Sequence, residues 1–347
     1  MTTLTHASRE LFSRPPDERF ESLADLSRHC QEMKELGRRF REPGPEFLPA
    51  AADDQLQFKI NGHGTFRLNE WSFSQLCSLA GVAKETVNRL RPETAARVLS
   101  ETLRQRTDDE TDLQALVHGN SHIRAINGNK YKRLWNADLV ATLQEFATDF
   151  TPPQQGGGGA TGIYAGEQDM FCFLIDPTGW TEIGGESFAP GFFVWNSETG
   201  CRTVGISTFW FQAVCQNHIV WDAVEVVEFS RRHTGRAREA ISEIRQAIES
   251  LVEKRDQRKD GFARVIARAM ETTYGTDIDE VQSLLAKAGF TKALAKKAAE
   301  LARQSGRFTL WSVVDALTQL AKDARFAGTR SEADQKASSL LALVDAS

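Results

Sequence analysis

The densest group of side chains that could do chemistry lies in residues 119–137, which contain four cations and no acidic residue. The cations are Arg124, Lys130, Lys132 and Arg133. Cations without a carboxylate nearby in the chain are free to meet phosphate groups, and phosphate contacts supply much of the affinity of proteins for nucleic acid. The segment therefore indicates a surface that binds a polyanion.

Two aromatic residues alternate with these cations. If residues 130–135 form a strand, Tyr131, Arg133 and Trp135 share one face and the guanidinium lies between two rings. Cations that follow a backbone and rings that stack on bases are typical of surfaces for single-stranded nucleic acid. In the alternative interpretation, the two rings belong to the core, Arg133 extends past them, and the lysines solvate an ordinary hairpin.

A second basic region lies in the last third of the chain, where residues 228–307 contain 17 Lys or Arg against 12 Asp or Glu. One predicted helix there carries Lys292, Lys296, Lys297 and Arg303, with Glu300 as its only acid. This helix could add phosphate contacts, or it could simply present a solvated polar face.

A different chemistry is suggested by the run AVCQNHIVW, which contains Cys215, Asn217 and His218. A thiol, an amide and an imidazole are the groups used in nucleophilic acyl transfer, and His233 could complete such a site. In cysteine hydrolases, however, the partners usually converge from distant parts of the chain, and Cys215 ends an apolar run where a buried thiol is common. We therefore predict no catalytic residue and keep a Cys/Asn/His enzyme as the alternative.

No metal or nucleotide site is predicted. His118 and His122 have the spacing of two ligands on a helix, but the Gly-Asn-Ser between them is typical of a turn. Gly157, Gly159 and Gly162 match a dinucleotide fingerprint in spacing, yet the run follows Pro-Pro-Gln-Gln instead of a strand. No glycine run is followed by the Lys-Ser or Lys-Thr of a P-loop. We expect no cofactor.

The composition is that of a soluble globular protein, with 347 residues, 41% hydrophobic and 26% charged. The net charge of −5 excludes a molecule that is a polycation as a whole. The five cysteines show no paired short spacing, which favours a reducing compartment. The first residues contain no apolar signal segment, and no run of about 18 apolar residues occurs. We expect a cytoplasmic protein that makes no membrane contact.

Three regions are predicted along the chain. Residues 1–54 are polar and punctuated by proline, which indicates a peripheral arm. Residues 55–230 alternate between strand-like and helical patterns around a glycine-rich loop at 154–162, and indicate hairpins with packed helices. From residue 231 to 347 the hydrophobic period changes to 3.6. The predicted class is α+β, with an antiparallel, hairpin-rich sheet and packed helices followed by an all-helical C-terminal region.

Several segments, taken in order, resemble a known family: HIRAINGNKYKRLWNADLV, DMFCFLID, FFVWNSETGCRTVGISTFWFQAVCQN, the step RHTG at 232–235, and TLWSVVDALTQLA. Together they are similar to the phage/plasmid-like protein family, known as domain of unknown function nine-three-two, over residues 55–325. Asp315 and Ala321 depart from the family pattern, which favours asparagine and an aromatic residue there. The resemblance implies a protein of a bacterial phage, plasmid or integrated mobile element, and it transfers no catalytic residue.

Mobile elements commonly carry single-strand annealing proteins that act as oligomers, although such an association does not fix function. The hypothesis is a non-catalytic protein that binds single-stranded DNA and forms a homo-oligomer of the annealing type. The predicted contact residues are Arg124, Lys130, Tyr131, Lys132, Arg133 and Trp135. The alternatives are the enzyme described above and an accessory factor that binds another protein through the helical last third.

Overall fold

The computed structural model of the chain describes residues 10–108, 110, 112–119, 121–153, 162–212, 218–221, 229–235 and 239–346, and the side chains at 218–221, 255–258 and 345–346 are not described. The strands are β1 (Glu18–Phe20), β2 (Gly37–Pro43), β3 (Phe47–Ala52), β4 (Gln55–Ile60), β5 (Gly64–Leu68), β6 (Asp112–His118), β7 (His122–Gly128), β8 (Ile163–Ala165), β9 (Met170–Ile175), β10 (Thr181–Ile183), β11 (Glu186–Asn196), β12 (Val204–Gln212), β13 (His218–Trp221) and β14 (Phe229–Arg231). The helices are α1 (Leu23–Glu35), α2 (Glu70–Ala80), α3 (Lys84–Val87), α4 (Pro92–Arg106), α5 (Asn136–Phe146), α6 (Glu239–Glu253), α7 (Arg255–Glu271), α8 (Ile278–Lys287), α9 (Lys292–Ala302), α10 (Leu310–Ala321) and α11 (Ala327–Ser338).

The first sheet has the strand order β2-β6-β7-β5-β4-β3. Its pairs are antiparallel except for β5 and β7, which run parallel. Helices α2 and α4 supply Leu76 and Leu99 to a core that contains Phe58 and Ile126 from the sheet. The strand alternation predicted on both sides of Asn61 and Gly62 forms the β4–β5 hairpin, as expected.

The second sheet follows the order β1-β8-β9-β11-β12-β13, with β10 beside β11 and β14 beside β12. Helices α1, α5 and α6 share a core with one face of this sheet. The other face carries Phe171, Phe193 and Phe209, against which Ala327 of α11 packs. All six residues of β9 are buried, so its continuous apolar run is a strand that is covered on both faces of the sheet.

The last third is helical, as predicted from the change of period. Helices α7 to α11 build a core around Trp210 and Phe262, whose rings stack at 4.2 Å between centroids. Capping side chains and glycines mark where several helices begin and end. The Asp277 side chain accepts from the Glu280 backbone N–H at the start of α8, and Gly81, with φ of 68°, follows the end of α2.

The prediction of a peripheral arm over residues 1–54 is wrong for its described part. Strand β1 pairs with β8, β2 pairs with β6, and β3 pairs with β4, so this region contributes to both sheets. The boundary after residue 54 falls between β3 and β4 of one hairpin, and the boundary after residue 230 falls inside β14. Short polar strands are stabilised by pairing with distant segments, which local composition does not show.

The chain is α+β, with strands concentrated before residue 232 and helices after 238. Within the ranges that the structure describes, no helix combines the length and the apolar character needed to cross a membrane.

Candidate nucleic-acid interface

Arg124 lies at an irregularity of the β6–β7 hairpin. The pairing register shifts between Leu116 and Val117, so that Arg124 is an extra residue on β7, and such a bulge redirects a side chain. Arg124 is 5% exposed, and its Nη2 lies 2.6 Å from Oε1 of Glu198. The expectation that Arg124 faces outward, ready for phosphate, is therefore wrong.

The partner of Arg124 belongs to a buried turn, residues 196–200, between β11 and β12. Glu198 is 2% exposed, although its sequence NSETG is typical of a surface turn. The Trp71 indole and the Gln75 amide, both on α2, donate to the carbonyl of Thr199 at 3.2 and 3.1 Å. The Ser197 hydroxyl donates to the carbonyl of Gln168. This buried turn links the second sheet to the helices of the first.

Glu198 also accepts a hydrogen bond at the start of α5. The backbone N–H of Asn136 donates to its Oε2 at 3.0 Å, where the helix dipole favours a negative charge. Asn136 itself does not cap α5, because the cap position is Trp135 and the Asn136 side chain accepts from Asn196 at 2.7 Å. The sequence NSETG alone indicates no functional role for the buried turn. The available signal was the acid-free segment itself, because a buried arginine there needs a counter-ion from elsewhere.

Arg133 is directed into the protein as well. Its guanidinium donates to the carbonyl of Glu198 and to Oδ1 of Asn127. It lies between aromatic residues as the sequence indicated, 5.3 Å from the Tyr131 ring centroid and 5.6 Å from that of Trp135. Burial lowers the pKa of Arg133 to about 10. The guanidinium therefore bonds to groups inside the protein.

Residues 130–135 do not form the predicted strand. β7 ends at Gly128 and α5 begins at Asn136, with an irregular connection between them. The Gln114 side chain donates to the carbonyls of Asn129 and Tyr131, so it occupies backbone groups that a neighbouring strand would need. The Tyr131 and Arg133 side chains of this connection both bond to the buried turn, and they do not alternate across a sheet.

Trp135 is half-buried at the start of β2. A Cβ atom on Gly37 would lie 2.9 Å from Cη2 of Trp135, so the indole packs directly on the backbone there. One side of the indole also contacts Arg133. Its predicted role in stacking on bases is therefore not supported by its position.

Tyr131 is held between two parts of the chain. Its hydroxyl donates to the carbonyl of Ser197 at 2.8 Å, and its ring stacks on His233 at 5.2 Å between centroids. The Lys132 backbone N–H donates to the carbonyl of His233 at 2.9 Å, which joins residues 129–133 to the segment after β14. His233 is 6% exposed, and burial lowers its pKa to about 4.

Three cations remain at the surface beside these residues. Lys130, Lys132 and Arg232 are exposed. Lys130 lines a shallow groove of about 360 Å³, which we call the lysine groove, and Lys132 and Arg232 each adjoin one of its lining residues in the chain. It is lined by Asn127, Gly128, Asn129, Lys130, Tyr131, His233 and Thr234. This lining contains no carboxylate, and none of the three cations forms an ion pair with another described residue. The lysine groove is thus the positive surface that the acid-free segment presents.

The second basic region is also at the surface. Lys292, Lys296, Lys297 and Arg303 are exposed on or just after α9, and Lys296 lies 4.0 Å from Glu300. The helix is therefore a solvated face with one weak internal pair.

The structure describes only some of the residues of the alternative enzyme site. Cys215 and Asn217 lie outside the described residues, and His218 is described by its backbone alone, so this hypothesis stays a prediction. Among the described thiols, burial raises the pKa of Cys30 and Cys77 to about 12 and that of Cys201 to about 11. These three thiols are protonated at neutral pH, when they are poor nucleophiles.

The two histidines of the β6–β7 hairpin lie side by side. The His118 and His122 rings are 5.2 Å apart between centroids, and burial lowers the pKa of both. Among the described residues, no group of three or more His, Cys, Asp or Glu side chains could hold a metal ion. Gly157 and Gly159 of the glycine run lie outside the described residues.

Comparison with known proteins gives one match. A family model described as a domain of unknown function (DUF932) matches residues 126–344, which include the lysine groove, the buried turn and the C-terminal helices. No curated protein and no solved structure matches the chain.

Proposed function

The chain belongs to the family described as a domain of unknown function (DUF932), and for this member we propose binding of single-stranded DNA through the lysine groove. The proposal places the protein in the cytoplasm of a bacterium, as the product of a phage, plasmid or integrated element. It includes no catalytic step. Assembly into a homo-oligomer along the strand is part of the same proposal.

The observation that carries the proposal is that exposed Lys130 lines a groove with no carboxylate in its described lining, while exposed Lys132 and Arg232 adjoin the lining residues Tyr131 and His233. Ammonium and guanidinium groups without acidic partners are free to neutralise phosphates and release their counter-ions. Arg39 on the edge strand β2 is exposed too, and it lies close enough to Arg133 to help lower the pKa of that guanidinium. The positive potential therefore extends from the groove toward the edge of the first sheet.

The groove favours phosphate contacts over base contacts. The Tyr131 ring already touches the His233 imidazole and the Arg133 guanidinium, and its hydroxyl is bonded to Ser197. A ring engaged in this way has little free face for a base. We therefore expect binding that depends strongly on salt and little on base sequence.

The rigidity of the site comes from the buried network. Glu198 binds Arg124 and the first backbone N–H of α5, and its carbonyl accepts from Arg133. These contacts hold the backbone on which Lys130 and Lys132 stand. The sequence predicts Arg124 and Arg133 as DNA ligands. In this proposal they are positioning residues, because they bind the buried turn and do not contact the DNA.

The test compares two double variants that remove the same charge. Lys130→Gln/Lys132→Gln removes two groove cations, and Lys292→Gln/Lys297→Gln removes two exposed cations from α9. Binding of a labelled oligothymidylate is measured by fluorescence anisotropy at low salt. We expect the groove variant to bind roughly tenfold more weakly, or worse, and the helix variant to bind within about twofold of the wild type. Unchanged binding by the groove variant, or a larger loss in the helix variant, contradicts the proposal.

A further inference from the structure

The second sheet carries a cavity that shares no lining residue with the lysine groove. The cavity has a volume of about 180 Å³ and lies between the sheet and α11. Phe171, Phe193 and Trp195 form its wall on the sheet, and Gly328, Ser331 and Gln335 form its wall on the helix. We call this cavity the aromatic slot.

The sheet wall is a continuous aromatic surface. The Phe171 and Phe193 rings are 6.0 Å apart between centroids with planes 8° apart, and the Phe193 and Trp195 rings are 4.7 Å apart with planes 25° apart. Aromatic surfaces of this kind favour another aromatic ring in an offset or edge arrangement. The helix wall opposite contains the small residues Gly328 and Ser331, and Arg202 and Phe171 pack closely against Gly328.

A polar group inside the aromatic slot has no partner. The Ser207 hydroxyl lines the slot from β12, where Ser207 pairs with Phe193. Ser207 is 1% exposed, and its Oγ makes no hydrogen bond with any residue that the structure describes. A buried hydroxyl without a partner is unfavourable, so a bound group that donates to it or accepts from it would be stabilised there.

The charges beside the aromatic slot neutralise each other. Arg202 lies 2.6 Å from a carboxylate oxygen of Glu332, and its Nε lies 2.8 Å from Asp169. The Arg202 guanidinium also lies over the Phe171 ring, 5.5 Å from its centroid. Because these charges are already paired, the slot suits an uncharged ligand.

We propose that the aromatic slot binds one uncharged, flat heteroaromatic ring with a hydrogen-bonding edge, of which a nucleobase is the natural example. Apolar cavities of about 150 Å³ hold a benzene-sized ring, and the slot is of similar size. The base packs against the edges of the Phe193 and Trp195 rings, whose faces are already stacked on neighbouring rings, and bonds to the Ser207 hydroxyl. This inference goes beyond the proposed function and does not depend on it, because an uncharged ring needs none of the groove cations.

The probe is a set of free nucleosides, namely thymidine, deoxycytidine, deoxyadenosine and deoxyguanosine, titrated into the full chain by calorimetry or ligand-observed NMR. Wild-type protein is expected to bind at least one of them. Ser207→Ala, which removes only the hydroxyl, is expected to weaken that binding about tenfold. Ser331→Phe, which fills the slot, is expected to abolish it, and Ser283→Phe on the exposed face of α8 is the matched control.

The inference is overturned if no nucleoside binds up to about millimolar concentration, a range that includes very weak ligands. It is also overturned if binding survives unchanged in both Ser207→Ala and Ser331→Phe. Ser207→Ala keeps the test decisive if the larger residue at 331 prevents folding. Competition between a bound nucleoside and oligothymidylate would identify a base on a strand as the ligand, and simultaneous binding would identify the free nucleoside. We expect Lys130→Gln/Lys132→Gln to leave nucleoside binding unchanged. Binding of nucleosides in the aromatic slot is thereby distinguished from binding of DNA in the lysine groove.

Discussion

Arg124 and Glu198 form a salt bridge in the interior, with 2.6 Å between Nη2 and Oε1 and side chains that are 6% and 3% exposed. Arg124 belongs to β7 of the first sheet, and Glu198 belongs to the turn between two strands of the second. The pair therefore joins the two sheets. A buried charge of this kind is tolerated because its partner and nearby backbone donors replace the lost water.

Removing the charge of Glu198 should be costly. In Glu198→Gln, the Arg124 guanidinium stays buried without its counter-ion, so we expect a loss of about 3–5 kcal/mol in the free energy of unfolding. Denaturant unfolding followed by circular dichroism measures the change. Glu249→Gln is the matched control, because Glu249 pairs with Arg245 at the exposed surface of α6. This substitution should lower the free energy of unfolding by less than about 1 kcal/mol. Equal effects of the two substitutions would show that the buried pair has no special role.

Arg133 should matter for stability and not for contact with DNA. In Arg133→Lys the charge is kept, but the planar group that reaches Glu198 and Asn127 between two rings is lost. We expect a lower melting temperature and an unfolding free energy reduced by about 1.5–3 kcal/mol. The affinity of the folded variant for oligothymidylate should stay within about twofold of the wild type. A large loss of affinity with unchanged stability would instead make Arg133 a direct ligand.

His233 should make the protein sensitive to acid. Burial lowers its pKa from 6.5 to about 4 in the folded state, so the unfolded chain takes up the proton first as the pH falls. The stabilising contribution is complete above about pH 6.5 and is lost progressively toward pH 4, on the order of 3 kcal/mol in total. His233→Phe keeps a ring beside Tyr131 and removes this dependence. Parallel stability curves for wild type and variant between about pH 7 and pH 4 would contradict the prediction.

Gly205 should not accept a side chain. It lies in β12, and a Cβ there would lie 2.3 Å from Cζ2 of Trp195 and 2.4 Å from the carbonyl oxygen of Phe229. We expect Gly205→Ala to destabilise the fold by about 1–3 kcal/mol or more, because backbone in a paired strand has little room to move. At Gly128 a Cβ meets nothing within 4 Å, so Gly128→Ala serves as the control. Thermal unfolding of both variants provides the comparison.

Much of the fold could be predicted because its signals are local. The Asp277 cap, the Gly81 helix end and the β4–β5 turn each depend on a few neighbouring residues, and all three are present in the structure. The apolar run of β9 was recognisable for the same reason. Strands β1 and β2 were not, because their partners β8 and β6 are distant in the chain and their own residues are largely polar.

The candidate site was predicted only in its surface part. Lys130 and Lys132 are exposed as expected, whereas Arg124 is buried and the partly exposed Arg133 directs its guanidinium to Glu198 and Asn127. The decisive partner of both arginines is Glu198, which lies more than 60 residues away in the chain. The absence of acids within a segment describes its local sequence, and it does not describe which carboxylates the fold brings to it.

The most direct test of DNA binding at the lysine groove is the salt dependence of oligothymidylate binding by the wild-type chain. Three exposed cations that each neutralise one phosphate predict that log Kobs falls against log salt concentration with a slope of about −2 between about 50 and 200 mM. The Lys130→Gln/Lys132→Gln variant should reduce this slope to about −0.7. Absence of binding at the lowest salt concentration, or a wild-type slope that the variant leaves unchanged, would contradict the account.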